Sequence, residues 1–181
     1  GFLGEQQDLV VGARYRPLSL VTFAIEYAFL GLNPSSGHFL NILLYALSAL
    51  LIMRVLAQLF PSEEKWYWQM PFWAALLFVV HPVHTEVVAN IKGRDEILAL
   101  LLAFSTLYFV IKHADHQKFW NALVVGVLFL LAILAKENAL TFLAIIPMAL
   151  YFFKGKSIYK ASLACLPLGL ATLIYLLIRY Q

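Results

Sequence analysis

A set of ionisable side chains stands at or near the ends of apolar stretches: Arg14, Arg16, His38, His81, His84, Glu86, Arg94, Asp95, Glu96, Lys136 and Glu137. Charge in such places is costly unless paired or wet, and so marks function. The cations suit an anionic, lipid-linked ligand. Arginine grips a phosphate through a two-pronged fork, and lysine supplies a point charge. Carboxylates beside them hold sugar hydroxyls, orient the cations or take a proton. His81-x-x-His84-x-Glu86 offers imidazole and carboxylate groups of the kind that bind zinc or manganese. We read these histidines instead as hydrogen-bonding a phosphate or pinning their own loop, with a divalent metal as the lesser alternative. No cofactor is otherwise expected. The His-Glu-x-x-His, Gly-x-Ser-x-Gly and Gly-x-x-x-x-Gly-Lys patterns are absent from the sequence. The plain alternative for the whole set is a solvated loop surface. It is weakest for Lys136-Glu137, because only Lys136-Glu137-Asn138 separates two apolar runs there.

The elements that must position these groups are apolar. Of 181 residues, 62% are hydrophobic and 13% charged, with a mean hydropathy of +0.81. A disordered chain, a coiled-coil rod and a basic nucleic-acid-binding domain are excluded. An ordinary soluble globule lacks the charge to cover its surface at this composition. The expected fold is all-α: a polytopic membrane bundle of about six transmembrane helices plus a juxtamembrane helix, at about 20 residues per crossing. Cys165 stands alone in an apolar run and reads as a small buried hydrophobe.

Residues 1–17 are mixed and polar. Residues 18–32 are apolar but short, with Glu26 inside, and suit a helix lying at the membrane surface. Asn33-Pro34-Ser35-Ser36-Gly37 ends it. The spans expected are residues 39–60, 70–80, 97–111, 119–135, 139–153 and 161–178. Trp66, Tyr67 and Trp68 form an aromatic belt before the second. Alternating crossings place residues 54–67, 112–118 and 154–160 on one side. The N-terminal stretch, residues 81–96, residues 136–138 and the C-terminal end fall on the other. Basic residues divide nearly evenly between the sides, so their count decides little. Lys154, Lys156 and Lys160 look like cytoplasmic anchors, which puts the site on the extracytoplasmic side.

The motifs also carry a resemblance. Tyr15-Arg16-Pro17-Leu18 leads into an apolar stretch closed by Gly31-Leu32-Asn33-Pro34 and Gly37-His38. His81-Pro82-Val83-His84-Thr85-Glu86 is followed by Gly93-Arg94-Asp95, and Ala135-Lys136-Glu137 comes later. Over nearly the whole chain this order resembles the membrane part of the tetratricopeptide-repeat transmembrane O-mannosyltransferases and their bacterial relatives, within the GT-C glycosyltransferases. The resemblance implies that residues 1–37 are the end of the first extracytoplasmic loop with its juxtamembrane helix, and residues 38–181 a transmembrane bundle. The chain reads as a segment. The first crossing and the acidic residue proposed as catalytic base would precede Gly1, and a tetratricopeptide array would follow Gln181. Neither Glu5 nor Asp8 lies in the matching acidic motif. Implied with it are a polyprenyl-phosphate sugar donor, a protein hydroxyl acceptor and surrounding membrane lipids. The location would be the bacterial inner membrane or the endoplasmic reticulum, with the site facing periplasm or lumen. Arg16, His81, His84, Arg94 and Lys136 become expected donor or phosphate contacts, and Glu86, Asp95 and Glu137 their supports. A non-catalytic subunit that binds lipid, or joins other membrane subunits in a larger complex, is the alternative. A transporter is a third reading, without paired broken spans to favour it.

Overall fold

The computed structural model describes residues 16–113 and 119–180. Arg14, Tyr15, Glu5, Asp8 and most of the 112–118 connection lie outside the described residues. The described chain is helical, without a strand. Helix α1 is Pro17–Leu30, and α2 is Pro34–Leu59. Helix α3 is Met70–Val80, followed by a short helix α4, Thr85–Ala89. Helix α5 is Arg94–His113, α6 is Phe119–Ala135 and α7 is Phe142–Lys154. Helices α8, Ile158–Ala164, and α9, Leu166–Arg179, end the described chain.

Local chemistry explains the boundaries. Pro17 and Pro34 sit in the first turns of α1 and α2, where a missing N–H costs nothing. Between them Gly31 adopts φ +66°, which only glycine takes freely. The Asn33 side chain then caps α2 by accepting from the Ser35 N–H at 3.0 Å. Gly155, at φ +58°, closes α7 in the left-handed cap conformation.

Helix α5 is the axis of the bundle, packed between α2 and α6, and α9 covers the other face of α6. The core is Val55, Ala103, Leu107, Phe129, Ile133, Ile146, Leu168 and Tyr175. Ala99, Ala103, Ala132 and Ala135 are all buried where α5 meets α6, and small side chains there let the backbones approach. The outer surface is apolar instead of charged: Phe29 is 83% exposed, Trp120 71% and Leu177 60%. Such a surface belongs in lipid, and the chain is that of a membrane protein.

Among the described residues, three helical stretches are long and apolar enough to cross a bilayer: Pro34–Leu59, Ile91–His113 and Glu137–Lys154. Two bent pairs raise the number to five. The sequence leads one to expect six. The expected fourth span is α6, whose 17 residues reach only about 25 Å. The expected sixth span, 161–178, is bent by 43° between α8 and α9. Pro167 supplies the cause: it has no N–H to continue α8, and it restricts Leu166 before it. Pro82 breaks the chain after α3 in the same way, with a bend of 52°.

Candidate functional site

The loops expected on one side do meet at one end of the bundle, and three successive residues at the start of α5 bring them together. Arg94 reaches back to α1 and α2. Its Nη2 lies 2.6 Å from Glu26 Oε2. Its Nε donates to Asn41 Oδ1 at 3.1 Å and its Nη2 to the Gly37 carbonyl at 3.4 Å. The guanidinium also lies 4.3 Å from the centre of the Phe23 ring. Asp95 pairs with Arg16, just before α1. Glu96 pairs with Lys136, just after α6. Next to Lys136, Glu137 Oε2 accepts from Arg179 Nη1 at 2.7 Å, which ties in the end of α9.

Neighbouring polar groups complete the enclosure of Arg94. Asn41 is fully buried, and its Nδ2 donates to the Asn90 carbonyl at 3.1 Å. Ser36 Oγ donates to Glu26 Oε1 at 2.9 Å. The Arg94 side chain is 1% exposed. Sequence reasoning expects Arg94 as a donor contact; in this structure it is instead walled in beneath α1 by its own protein partners. Glycine is required immediately before it. A Cβ at Gly93 would stand 2.1 Å from the Val87 carbonyl oxygen, a backbone atom that cannot swing aside. Replacing Gly93 with Ala is therefore expected to destabilise the folded protein by about 2 kcal/mol, read as an earlier unfolding transition in detergent. An unchanged transition would show that the α4–α5 corner can open freely.

The histidines build a second feature. Pro82 cannot donate to the Phe78 carbonyl, and the Val83 N–H, which would otherwise serve Val79, donates to His81 Nδ1 at 3.2 Å. The two orphaned carbonyls are served from α2: the Tyr45 hydroxyl lies 2.9 Å from Phe78 O and 3.3 Å from Val79 O. The His84 ring packs 4.4 Å from the Phe78 ring, 5.8 Å from Tyr45 and 5.9 Å from His81, centre to centre. In this connection, partial burial and the neighbouring His81 push the His84 imidazole below its usual pKa. It is then neutral at pH 7 and able both to donate and to accept. His38, Tyr45, His81, His84, Val79 and Val88 line an open groove of about 480 Å³. Glu86 is exposed on α4, outside the ion pairs. Among the described residues no three His, Cys, Asp or Glu side chains are grouped to hold a metal ion.

Sequence reasoning misses Asn41, Tyr45 and the pairing roles of Glu26 and Glu96. The available signal was polarity inside an apolar run, which Glu26 and Asn41 both show.

Comparison with known proteins shows what the chain is similar to. The mouse protein O-mannosyl-transferase TMTC3 is 32% identical to the chain over 193 aligned residues, covering 92% of the chain and 20% of that relative. The chain is a homologue of the tetratricopeptide-repeat transmembrane O-mannosyltransferases. Human protein O-mannosyl-transferase TMTC2 is 40% identical over 56% of the chain and 12% of its own length. Human TMTC1 is 41% identical over 49% of the chain and 10% of its own length. The chain thus spans about one fifth of the length of the mouse relative. No family model matches the chain, and no solved structure matches it.

Proposed function

We propose that the chain is part of a GT-C membrane glycosyltransferase that moves a sugar, mannose or a close relative, from a polyprenyl phosphate to a protein hydroxyl on the lumenal or periplasmic side. The observation that carries this reading is the meeting of Arg16, Asp95, Lys136 and Glu137 at one end of an apolar bundle, the end that also holds His81 and His84, in a homologue of protein O-mannosyl-transferases. Cations at a bilayer edge stabilise the charge that builds on a departing lipid phosphate. The groove beside His81 and His84 has apolar walls for the first units of an isoprenoid chain and imidazoles for its polar end. Arg94 acts through position, by holding α1 against the site. Asp95 and Glu137 hold Arg16 and Arg179, and Glu86 helps to position the sugar. The endoplasmic reticulum is the compartment favoured by the animal relatives. A base must take the acceptor proton.

Mass spectrometry of glycopeptides from cells with and without the gene tests the reading. Loss of hexose from Ser or Thr peptides is the expected result, and identical glycopeptides would refute it. Cysteine labelling tests the orientation: a cysteine at His84 or Lys136 should react from outside, and one at Lys156 only from the cytoplasm.

A specific observation favours a second reading. Each of Arg16, Arg94 and Lys136 already holds a carboxylate, as expected of a scaffold whose charges only stitch helices. In that case Lys136→Ala leaves the glycopeptides unchanged.

A further inference from the structure

An anion that reaches Arg16, Arg94 or Lys136 must compete with an acid already there. Four cation–carboxylate pairs stand at this end; Arg179 and Glu137, at 47% and 55% exposed, are both open to water, and the other three differ in what opening them would strand. The Arg94 and Glu26 side chains are 1% and 9% exposed, so parting them leaves two buried charges. Arg16 and Asp95 are 21% and 8% exposed, so parting them leaves the acid buried. Lys136 and Glu96 reverse the pattern, at 13% and 49%. Here the acid alone can turn into water, which re-solvates it at little cost.

Lys136 itself is fixed. Its N–H donates to the Ala132 carbonyl at 3.1 Å, and its own carbonyl accepts from the Ala139 N–H at 3.1 Å. Ala135 before it is fully buried. The main chain of the cation is thus pinned on both sides while its acid partner sits half-exposed on the first turn of α5.

We infer that Glu96 is an internal competitor: its carboxylate occupies the place beside Lys136 that the phosphate of a lipid-borne donor takes, and it turns into solvent when the donor binds. The inference rests on the donor reading above and adds the device that regulates that site. A tethered competitor raises the ligand concentration needed for half-occupancy without changing the occupancy reached at saturation. It also holds Lys136 neutralised, and so shielded from weakly binding anions, when no donor is present.

The test is binding of farnesyl phosphate, a short isoprenoid phosphate, to the intact protein in detergent micelles. Glu96→Gln keeps shape and removes charge. It should tighten binding about fivefold, the upper range for an exposed ion pair, and the gain should vanish in Glu96→Gln combined with Lys136→Gln. Glu64→Gln, in the turn beyond the other end of α2, removes the same formal charge and should change nothing. Simple damage to the site would weaken binding, so the direction of the effect separates competition from structure. Farnesol should not gain from Glu96→Gln, and excess inorganic phosphate should not displace farnesyl phosphate; displacement would overturn the lipid-borne source. Equal binding to wild type and Glu96→Gln overturns the competitor alone. No binding to either protein overturns the donor reading together with it.

Discussion

Glu26→Gln is expected to destabilise the folded bundle by about 3–5 kcal/mol, the usual cost of leaving one member of a buried ion pair uncompensated. The substitution keeps the shape of the side chain and can keep the hydrogen bond from Ser36 Oγ. What it removes is the charge 2.6 Å from an arginine that is 1% exposed. The remaining partners of Arg94 are an amide oxygen and a backbone carbonyl, which solvate a cation but do not neutralise it. Unfolding of the purified protein by heat or by a denaturing detergent measures the loss. The double variant Glu26→Gln with Arg94→Gln should recover a large part of it, since no unpaired charge is then buried. A loss under about 1 kcal/mol would mean that water reaches Arg94. Arg94→Ala reverses the imbalance, with Glu26 left buried, and its effect on transfer would follow from a displaced α1.

Lys136→Ala should do the opposite: transfer to an acceptor should fall about 100-fold or more, and stability should change little. The magnitude is that of removing a pre-aligned group from the place where charge develops. Stability is spared because the abandoned partner, Glu96, is half-exposed and returns to water. Glycosylation of an acceptor peptide by the intact protein measures the first quantity, and the unfolding transition the second. Retention of a third or more of the activity in a normally folded variant would remove Lys136 from the chemistry. The pair of results, Glu26 for stability and Lys136 for activity, separates the structural charges from the chemical ones.

Much of this was legible in the residues. Long charge-free runs gave the positions of α2, α5 and α6, because hydropathy over a bilayer's width is a strong signal. Alternating crossings were enough to put His81, Arg94 and Lys136 at one end. Partners were not legible. Glu26 stood out as a carboxylate in an apolar stretch, but a single sequence holds nothing that links it to Arg94 across the intervening chain. Likewise Tyr45 looks like one more aromatic residue of a span. Its role appears only when Pro82 is seen to deprive the Phe78 carbonyl of a donor. Pro82 and Pro167 cause the bends, but an apolar run continues through Pro167, so hydropathy alone reads it as one span. Gly93 was recognised within a motif, but the reason for it is the approach of Val87, which is a matter of three-dimensional packing.

The three consecutive side chains that open α5 also have partners that are made at different times. When residues 94–96 are added to the growing chain, Arg16, Glu26 and Asn41 have already been made, whereas Lys136 has not. Arg94 and Asp95 can therefore close on α1 and α2 while the rest of the chain is still being synthesised, so those two charges enter the bilayer's edge already matched. Glu96 waits for Lys136, which arrives once α6 has been inserted beside α5, and Glu137 then waits for Arg179 at the end of α9.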